Sequence, residues 1–128
     1  MEIFPKIVRL SYNMDSDKLC LRWNNFESKI SSAFKDLRQE GEFLDVTLAC
    51  EDEQLQAHRL ALSACSPIFK SVLCRNKHQY PLVYLRGVSC RDLAALLDFM
   101  NHGEVDVAQD DLASFLQVAQ DLKIKGLT

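Results

Sequence analysis

Residues 43–73, FLDVTLACEDEQLQAHRLALSACSPIFKSVL, contain the pattern that decides the fold of this chain. Val46, Leu48 and Cys50 are apolar positions spaced two apart, which is typical of a half-buried strand. An acidic break and a renewed alternation follow in residues 51–57. The first half of the stretch therefore predicts a β-hairpin.

The hydrophobic period changes after this hairpin. Residues 60–65 form an apolar run that is too short for a long helix and too continuous for an exposed one. Ser66 then suits an N-cap, and Pro67 suits the first helical position, where its missing N–H costs no hydrogen bond. The second half of the stretch predicts two small, mostly buried helices, which form a scaffold and not a catalytic site.

Toward the N-terminus, residues 18–23 alternate as a short strand, and Asn24 and Glu27 form a capping-box pattern at the start of a helix. The apolar positions of that helix share one face; they are Phe26, Ile30, Ala33, Phe34 and Leu37. A strand that stands alone cannot satisfy its backbone groups, so residues 18–23 should pair with a sheet further along or with another chain. The apolar positions in residues 3–10 could add a strand or pack on a partner.

Toward the C-terminus, the sequence predicts a core strand at residues 82–85, a helix capped by Ser89, an alternating strand at residues 104–107 and a last helix from Leu112. Ala108 stands where Ser or Thr would cap the last helix, which costs about 1 kcal/mol of local stability. The predicted fold class is α+β, with a small mixed sheet flanked by a cluster of helices.

Composition and charge limit the function classes. The length of 128 residues suits one domain, and 48% hydrophobic and 26% charged residues are ordinary for a globular chain. A net charge of −3 argues against binding a nucleic-acid backbone, and no uncharged apolar stretch is long enough to cross a membrane. We expect an N-terminal extension at residues 1–17, without the apolar core of a signal peptide, and a domain at residues 18–127.

The five cysteines form no CxxC pair, and we expect mostly buried, reduced thiols. Cys74 and His78 have the spacing of two ligands on a helix but would need two more, so we expect no metal site. Cys65 lies in an apolar run that raises a thiol pKa, and no pattern places a nucleophile beside His58. We therefore expect neither enzymatic activity nor a cofactor.

Several separated motifs resemble, in the same order, those of a BTB/POZ domain. They are residues 19–26 (LCLRWNNF), 43–48 (FLDVTL), 57–59 (AHR), 62–69 (LSACSPIF) and 103–105 (GEV). The opening LCLRWNNF and the closing LKIKGL of residues 122–127 resemble the insect Tramtrack group in particular. The resemblance extends over residues 18–127.

This resemblance implies a protein-interaction domain, usually at the N-terminus of a nuclear transcription factor or chromatin protein with zinc fingers downstream. In such domains the first helix forms a two-fold interface, and the N-terminal strand crosses to the partner's sheet. The implied dimer-interface residues are Leu19, Leu21, Trp23, Phe26, Ile30 and Phe34. The implied partners are a second copy, other Tramtrack-group domains and co-regulator peptides, with no direct nucleic-acid contact and no membrane.

Asp45 and Arg59 fall at the charged-pocket positions of the family, near the dimer groove where partner peptides dock. Asp45 could equally be a strand-start carboxylate that backbone donors and Arg59 satisfy, since a buried acid normally persists only when it is paired. The chain departs from the family pattern at Asn101, where an aromatic residue is usual, and at Ala108, where a hydroxyl cap is usual. Neither departure removes an interface residue.

Self-association is the leading functional hypothesis. The alternative is a substrate adaptor for a cullin-type ubiquitin ligase, which would require helices after residue 128 and downstream repeats such as Kelch. A third hypothesis is a short regulatory form that ends here and mixes with longer partners.

Overall fold

The computed structural model describes residues 6–8, 19–51 and 53–127. The chain divides into two compact units, Met1–Asp36 and Leu37–Thr128. In the first unit, β1 (Lys6–Val8) pairs antiparallel with β2 (Cys20–Arg22). Helix α1 (Phe26–Gln39) begins in the first unit and ends in the second.

The N-terminal hairpin corrects one prediction. Strand β2 does not stand alone, because Ile7 of β1 lies opposite Leu21. The prediction that residues 18–23 need a distant sheet or another chain is therefore wrong for one edge of this strand. The backbone N–H and C=O groups of a strand form hydrogen bonds with a neighbouring strand where one is available. For β2, that neighbouring strand is β1. The second edge of β2 has no ladder partner in the described ranges.

The second unit contains a three-stranded sheet with the order β4–β3–β5. Strands β3 (Val46–Cys50) and β4 (Glu53–Ala57) form the predicted antiparallel hairpin, and β5 (Leu82–Tyr84) lies parallel to β3. Buried and half-buried residues alternate along β3, as its period of two predicts. This mixed sheet and the helices around it confirm the predicted α+β class.

Helices α2 (Arg59–Cys65) and α3 (Pro67–Arg75) meet at Ser66, the predicted N-cap. The Ser66 hydroxyl accepts the N–H of Phe69 at 3.2 Å and donates to the carbonyl of Leu122 at 2.6 Å. The Ser66 side chain is fully buried. The residue that begins α3 therefore also ties that helix to the C-terminal segment.

The two later helices begin differently. Helix α4 (Cys90–His102) begins after Ser89, whose hydroxyl caps it as predicted. Ala108 makes no side-chain cap, and a 3₁₀ turn (Gln109–Asp111) precedes α5 (Leu112–Asp121). The prediction of an uncapped start at Ala108 is confirmed, and the tighter turn satisfies part of the exposed backbone there.

Two strand predictions in this unit are wrong in part. Residues 104–107 form no strand in the described structure, although both valines of this segment pack against the core. In the predicted core strand at residues 82–85, Leu82 and Tyr84 are exposed and Val83 packs inward. An alternating pattern of apolar residues shows which side chains face a core. A strand also needs a neighbouring strand for its backbone hydrogen bonds, and the pattern does not show whether one is present.

The core of the second unit draws on its sheet and on α2 to α5. Its best-buried apolar side chains are Leu48, Leu62, Phe69, Leu93, Leu96 and Ile124. Each large apolar side chain contributes about 1.5–3 kcal/mol when it leaves water, so this core stabilises the second unit.

Cys50 and Cys90 are joined as a disulfide that links β3 to the start of α4, with 5.6 Å between their Cα atoms. The expectation of reduced thiols is therefore wrong for this pair, whereas Cys20, Cys65 and Cys74 are free. The two bonded cysteines are 40 residues apart, so no local spacing pattern could reveal their proximity.

Replacing Ser66 by alanine should lower the free energy of unfolding by about 2–3 kcal/mol, because two buried backbone groups lose their hydrogen-bond partner. Urea denaturation followed by circular dichroism measures this loss. Ser71→Ala, at an exposed position of α3, is the control and should change the free energy by less than about 0.5 kcal/mol. Equal losses in the two variants would contradict the double role of Ser66.

Alkylation of the denatured chain without reductant should modify three cysteines, and the other two only after reduction. Mass spectrometry counts the modified thiols. If all five react without reductant, the Cys50–Cys90 pair is not bonded.

Candidate interaction surface

The apolar face of α1 is open to solvent. Its apolar residues recur at helical spacing, yet no residue of α1 is buried. Phe26 is 50% exposed and Phe34 is 45% exposed, while Ile30 is half-buried. An apolar stripe of this kind normally faces a core. The sequence predicted the stripe, and the structure leaves it uncovered.

The segment before α1 adds three exposed apolar side chains. Leu21 of β2 is 61% exposed, and Leu19 and Trp23 are also exposed. The rings of Trp23 and Phe26 meet edge to face, with centroids 5.3 Å apart and planes at 66°. Asn25, between them, has a φ of 57°, a left-handed conformation that Asn adopts more readily than most residues. The turn thus joins the end of β2 to the first turn of α1 through an aromatic contact.

We call this set the N-terminal apolar surface; it consists of Leu19, Leu21, Trp23, Phe26, Ile30 and Phe34, the six residues predicted for a dimer interface. Monomeric proteins rarely expose large contiguous apolar patches, and burial of each such side chain contributes about 1.5–3 kcal/mol. The chemistry that this surface offers is apolar contact with another protein surface. That it is the dimer interface stays a prediction.

The structure does not bring Asp45 and Arg59 together as an ion pair of side chains. The Asp45 carboxylate accepts the backbone N–H of Arg59 at 2.7 Å, at the first residue of α2. The Arg59 guanidinium instead donates to the carbonyl of His78 at 3.3 Å. A carboxylate beside a free N–H at a helix start is favoured by the hydrogen bond and by the helix dipole. Asp45 therefore acts as a remote cap of α2.

His58 and Cys65 are not brought together as a reactive pair by any hydrogen bond in the described ranges. The His58 ring is hydrogen-bonded to the backbone carbonyl of Glu42. Burial raises the pKa of the Cys65 thiol, although Arg38 and Lys125 partly lower it. A raised pKa keeps the thiol protonated near neutral pH, which opposes nucleophilic attack.

The described residues lack two further kinds of feature. They contain no cluster of three or more His, Cys, Asp or Glu side chains that could hold a metal ion. They also contain no helix long and apolar enough to span a membrane.

The sequence motifs did not predict a basic region around the end of α3. Arg75 and Lys77 are exposed there and line an open depression. The available signal was the absence of Asp and Glu from residues 54–91, which a motif search does not detect.

A sequence model described as BTB/POZ domain matches residues 34–128. In Drosophila melanogaster, this chain is 49% identical over 114 residues to the Broad-complex core protein isoforms 1/2/3/4/5 and 48% identical over 115 residues to the protein tramtrack, alpha isoform. The matches cover 89% and 90% of this chain but only 16% and 14% of those two relatives. This chain thus spans a small part of their length.

Two other similarities extend over most of both proteins. The Drosophila melanogaster longitudinals lacking protein-like is 47% identical over 115 residues, which cover 89% of this chain and 91% of that protein. A solved structure, the BTB domain of zebrafish PATZ1, superposes with a TM-score of 0.66 and 26% identity. It covers 78% of this chain and 86% of that chain. The resemblance inferred from the motifs is thereby confirmed.

Asp45→Ala should lower the free energy of unfolding by about 1–2 kcal/mol, because the Arg59 N–H loses its acceptor at the start of α2. Arg59→Ala keeps that N–H and should cost less than Asp45→Ala. Urea denaturation compares the two variants. A larger loss from Arg59→Ala would contradict the capping role of Asp45.

Proposed function

Because this chain belongs to the BTB/POZ domain family, whose fold serves protein–protein interaction, we propose that it dimerises through the N-terminal apolar surface. The observation that carries this proposal is the apolar face of α1, which has no buried residue in the single chain. A second copy supplies a surface of matching chemistry, because the same apolar residues are present on both sides of a two-fold axis.

The chemistry of the surface fits an obligate interface. Such interfaces bury more than about 2,000 Å² in total and are more apolar than transient ones. A few well-packed and fully desolvated residues, often aromatic, supply most of the binding free energy. Trp23, Phe26 and Phe34 are the aromatic anchors on this surface, and all three are exposed in the single chain.

Strand exchange adds backbone hydrogen bonds to this apolar contact. One edge of β2 is open in the described ranges, and residues 104–107 have no ladder partner there although their side chains alternate. We infer that the open edge of β2 in one copy pairs with residues 104–107 of the other. The unpaired backbone N–H and C=O groups of both segments then form hydrogen bonds with each other.

The dimer acts, in this proposal, as the assembly domain of a nuclear transcription regulator or chromatin protein. The small share of the Broad-complex and tramtrack relatives that the match covers is consistent with an attached DNA-binding module elsewhere in a longer protein. Joining two such modules raises their avidity by roughly 10²–10⁴ without a new DNA contact. The match covers 91% of the longitudinals lacking protein-like, so that relative consists largely of this domain.

Other Tramtrack-group domains are the second class of partner that we propose. Identities of 49% and 48% to the Broad-complex and tramtrack proteins leave similar surfaces available for mixed pairs and larger assemblies. The cullin-adaptor alternative stays a prediction, and binding of a cullin N-terminal domain to this chain would support it.

Phe34→Glu should abolish the dimer, because a charge buried in an apolar interface without a partner is strongly unfavourable. Light scattering gives the mass, and circular dichroism reports whether the chain is folded. We expect either a monomer or an unfolded, aggregated chain, since an obligate interface also supports folding.

Leu116→Glu is the matched control, because Leu116 is a similarly exposed apolar residue on α5. This variant should keep the mass of the unaltered chain. A folded Phe34→Glu dimer of unchanged mass would contradict the proposed interface, as would loss of the dimer in the control alone.

A further inference from the structure

An open depression of about 600 Å³ lies at the C-terminal end of α3. Its lining residues are Val72, Arg75, Asn76, Lys77 and His78. Val72 is 42% exposed and gives the depression an apolar wall, while Arg75 and Lys77 are exposed beside it. The depression therefore combines an apolar contact with two permanent positive charges.

The surrounding stretch of chain has no carboxylate side chain. Residues 54–91 contain six Lys or Arg residues and no Asp or Glu, although the whole chain has 18 Asp and Glu and a net charge of −3. Arg91 forms an ion pair with Asp111 at 3.2 Å. In the part of the chain that the structure describes, neither Arg75 nor Lys77 forms such a pair. Among the described residues, no side-chain ion pair neutralises the positive charge of the depression.

Two hydrogen bonds fix the loop that carries Lys77. The Asn76 side-chain oxygen accepts the N–H of His78 at 3.0 Å. The His78 carbonyl accepts the Arg59 guanidinium at 3.3 Å. Asn76 also closes α3, because its N–H bonds to the carbonyl of Leu73. A loop held in this way loses little conformational entropy when a ligand binds.

We propose that this depression binds a short acidic peptide segment of another protein, in which carboxylates flank one apolar side chain. The carboxylates pair with Arg75 and Lys77, and the apolar side chain packs on Val72. Guanidinium and carboxylate match in shape and form charge-assisted hydrogen bonds. The end of α3 itself carries a partial negative charge, so the two side chains supply the attraction.

A nucleic-acid backbone fits the depression less well. The five lining residues include no Phe, Tyr or Trp, so the His78 imidazole is the single ring among them that could stack on a base. Two fixed cations neutralise few phosphates, and a chain with a net charge of −3 repels a long polyanion. The Val72 side chain offers neither a charge nor a hydrogen bond to a phosphate, whereas it can pack against an apolar peptide side chain.

Fluorescence anisotropy tests the site with a labelled peptide of Glu and Asp residues around a single Leu. We expect Lys77→Glu to bind this peptide about tenfold more weakly than the unaltered chain, because one charge-assisted contact becomes a repulsion. Arg86→Glu changes the net charge equally, at an exposed residue of the same stretch that does not line the depression. It should bind like the unaltered chain, and added salt should weaken binding in every case.

Several results would overturn the proposal. One is that the unaltered chain does not bind the peptide. Another is that Lys77→Glu and Arg86→Glu weaken peptide binding equally, which would indicate diffuse charge attraction. If a peptide with Gly in place of Leu bound with the same affinity, the proposed apolar contact with Val72 would be contradicted. If a single-stranded DNA oligonucleotide bound more tightly than the peptide, the ligand would be a nucleic acid and not an acidic peptide. Light scattering of Lys77→Glu should give the mass of the unaltered chain, so failure of this site is distinguishable from failure of self-association.

Discussion

The uncovered apolar side of α1 is the constraint on which the proposed assembly depends. A helix whose aromatic residues remain in water loses the free energy that normally holds a surface helix in place. The second unit has a core of its own, formed by its sheet and by α2 to α5. The first unit offers a two-stranded hairpin, and two strands alone are marginal in water. Burial of the N-terminal apolar surface by another chain would supply what these short elements lack.

Two surfaces of this chain have different physical chemistry and suit different kinds of partner. The N-terminal apolar surface gains from leaving water, a term that moderate salt does not screen. The depression beside α3 gains from charge, which falls as ionic strength rises. Arg59 connects the second surface to the scaffold, since its N–H is capped by Asp45 and its guanidinium holds the His78 carbonyl. Arg59 thus offers its backbone N–H to the Asp45 cap of α2 and its side chain to the loop of the depression.

The sequence predicted those features that depend on local patterns. The period of two in β3 and β4, the cap at Ser66 and the missing cap at Ala108 all reappear in the structure. Features that depend on distant partners were missed. The pairing of Cys50 with Cys90 and the lack of a ladder at residues 104–107 follow from tertiary placement, which a local pattern does not encode.

The candidate sites show the same division. An apolar stripe on α1 can be recognised from spacing alone, but whether a core or a partner covers it depends on the rest of the fold. Asp45 and Arg59 were placed in a charged pocket by family position, and the alternative prediction, a strand-start carboxylate satisfied by a backbone donor, agrees with the N–H of Arg59 that Asp45 accepts. Absolute mass by light scattering over a dilution series tests self-association most directly. A dimer or larger discrete mass that persists on dilution is predicted, and a stable, folded monomer would contradict it.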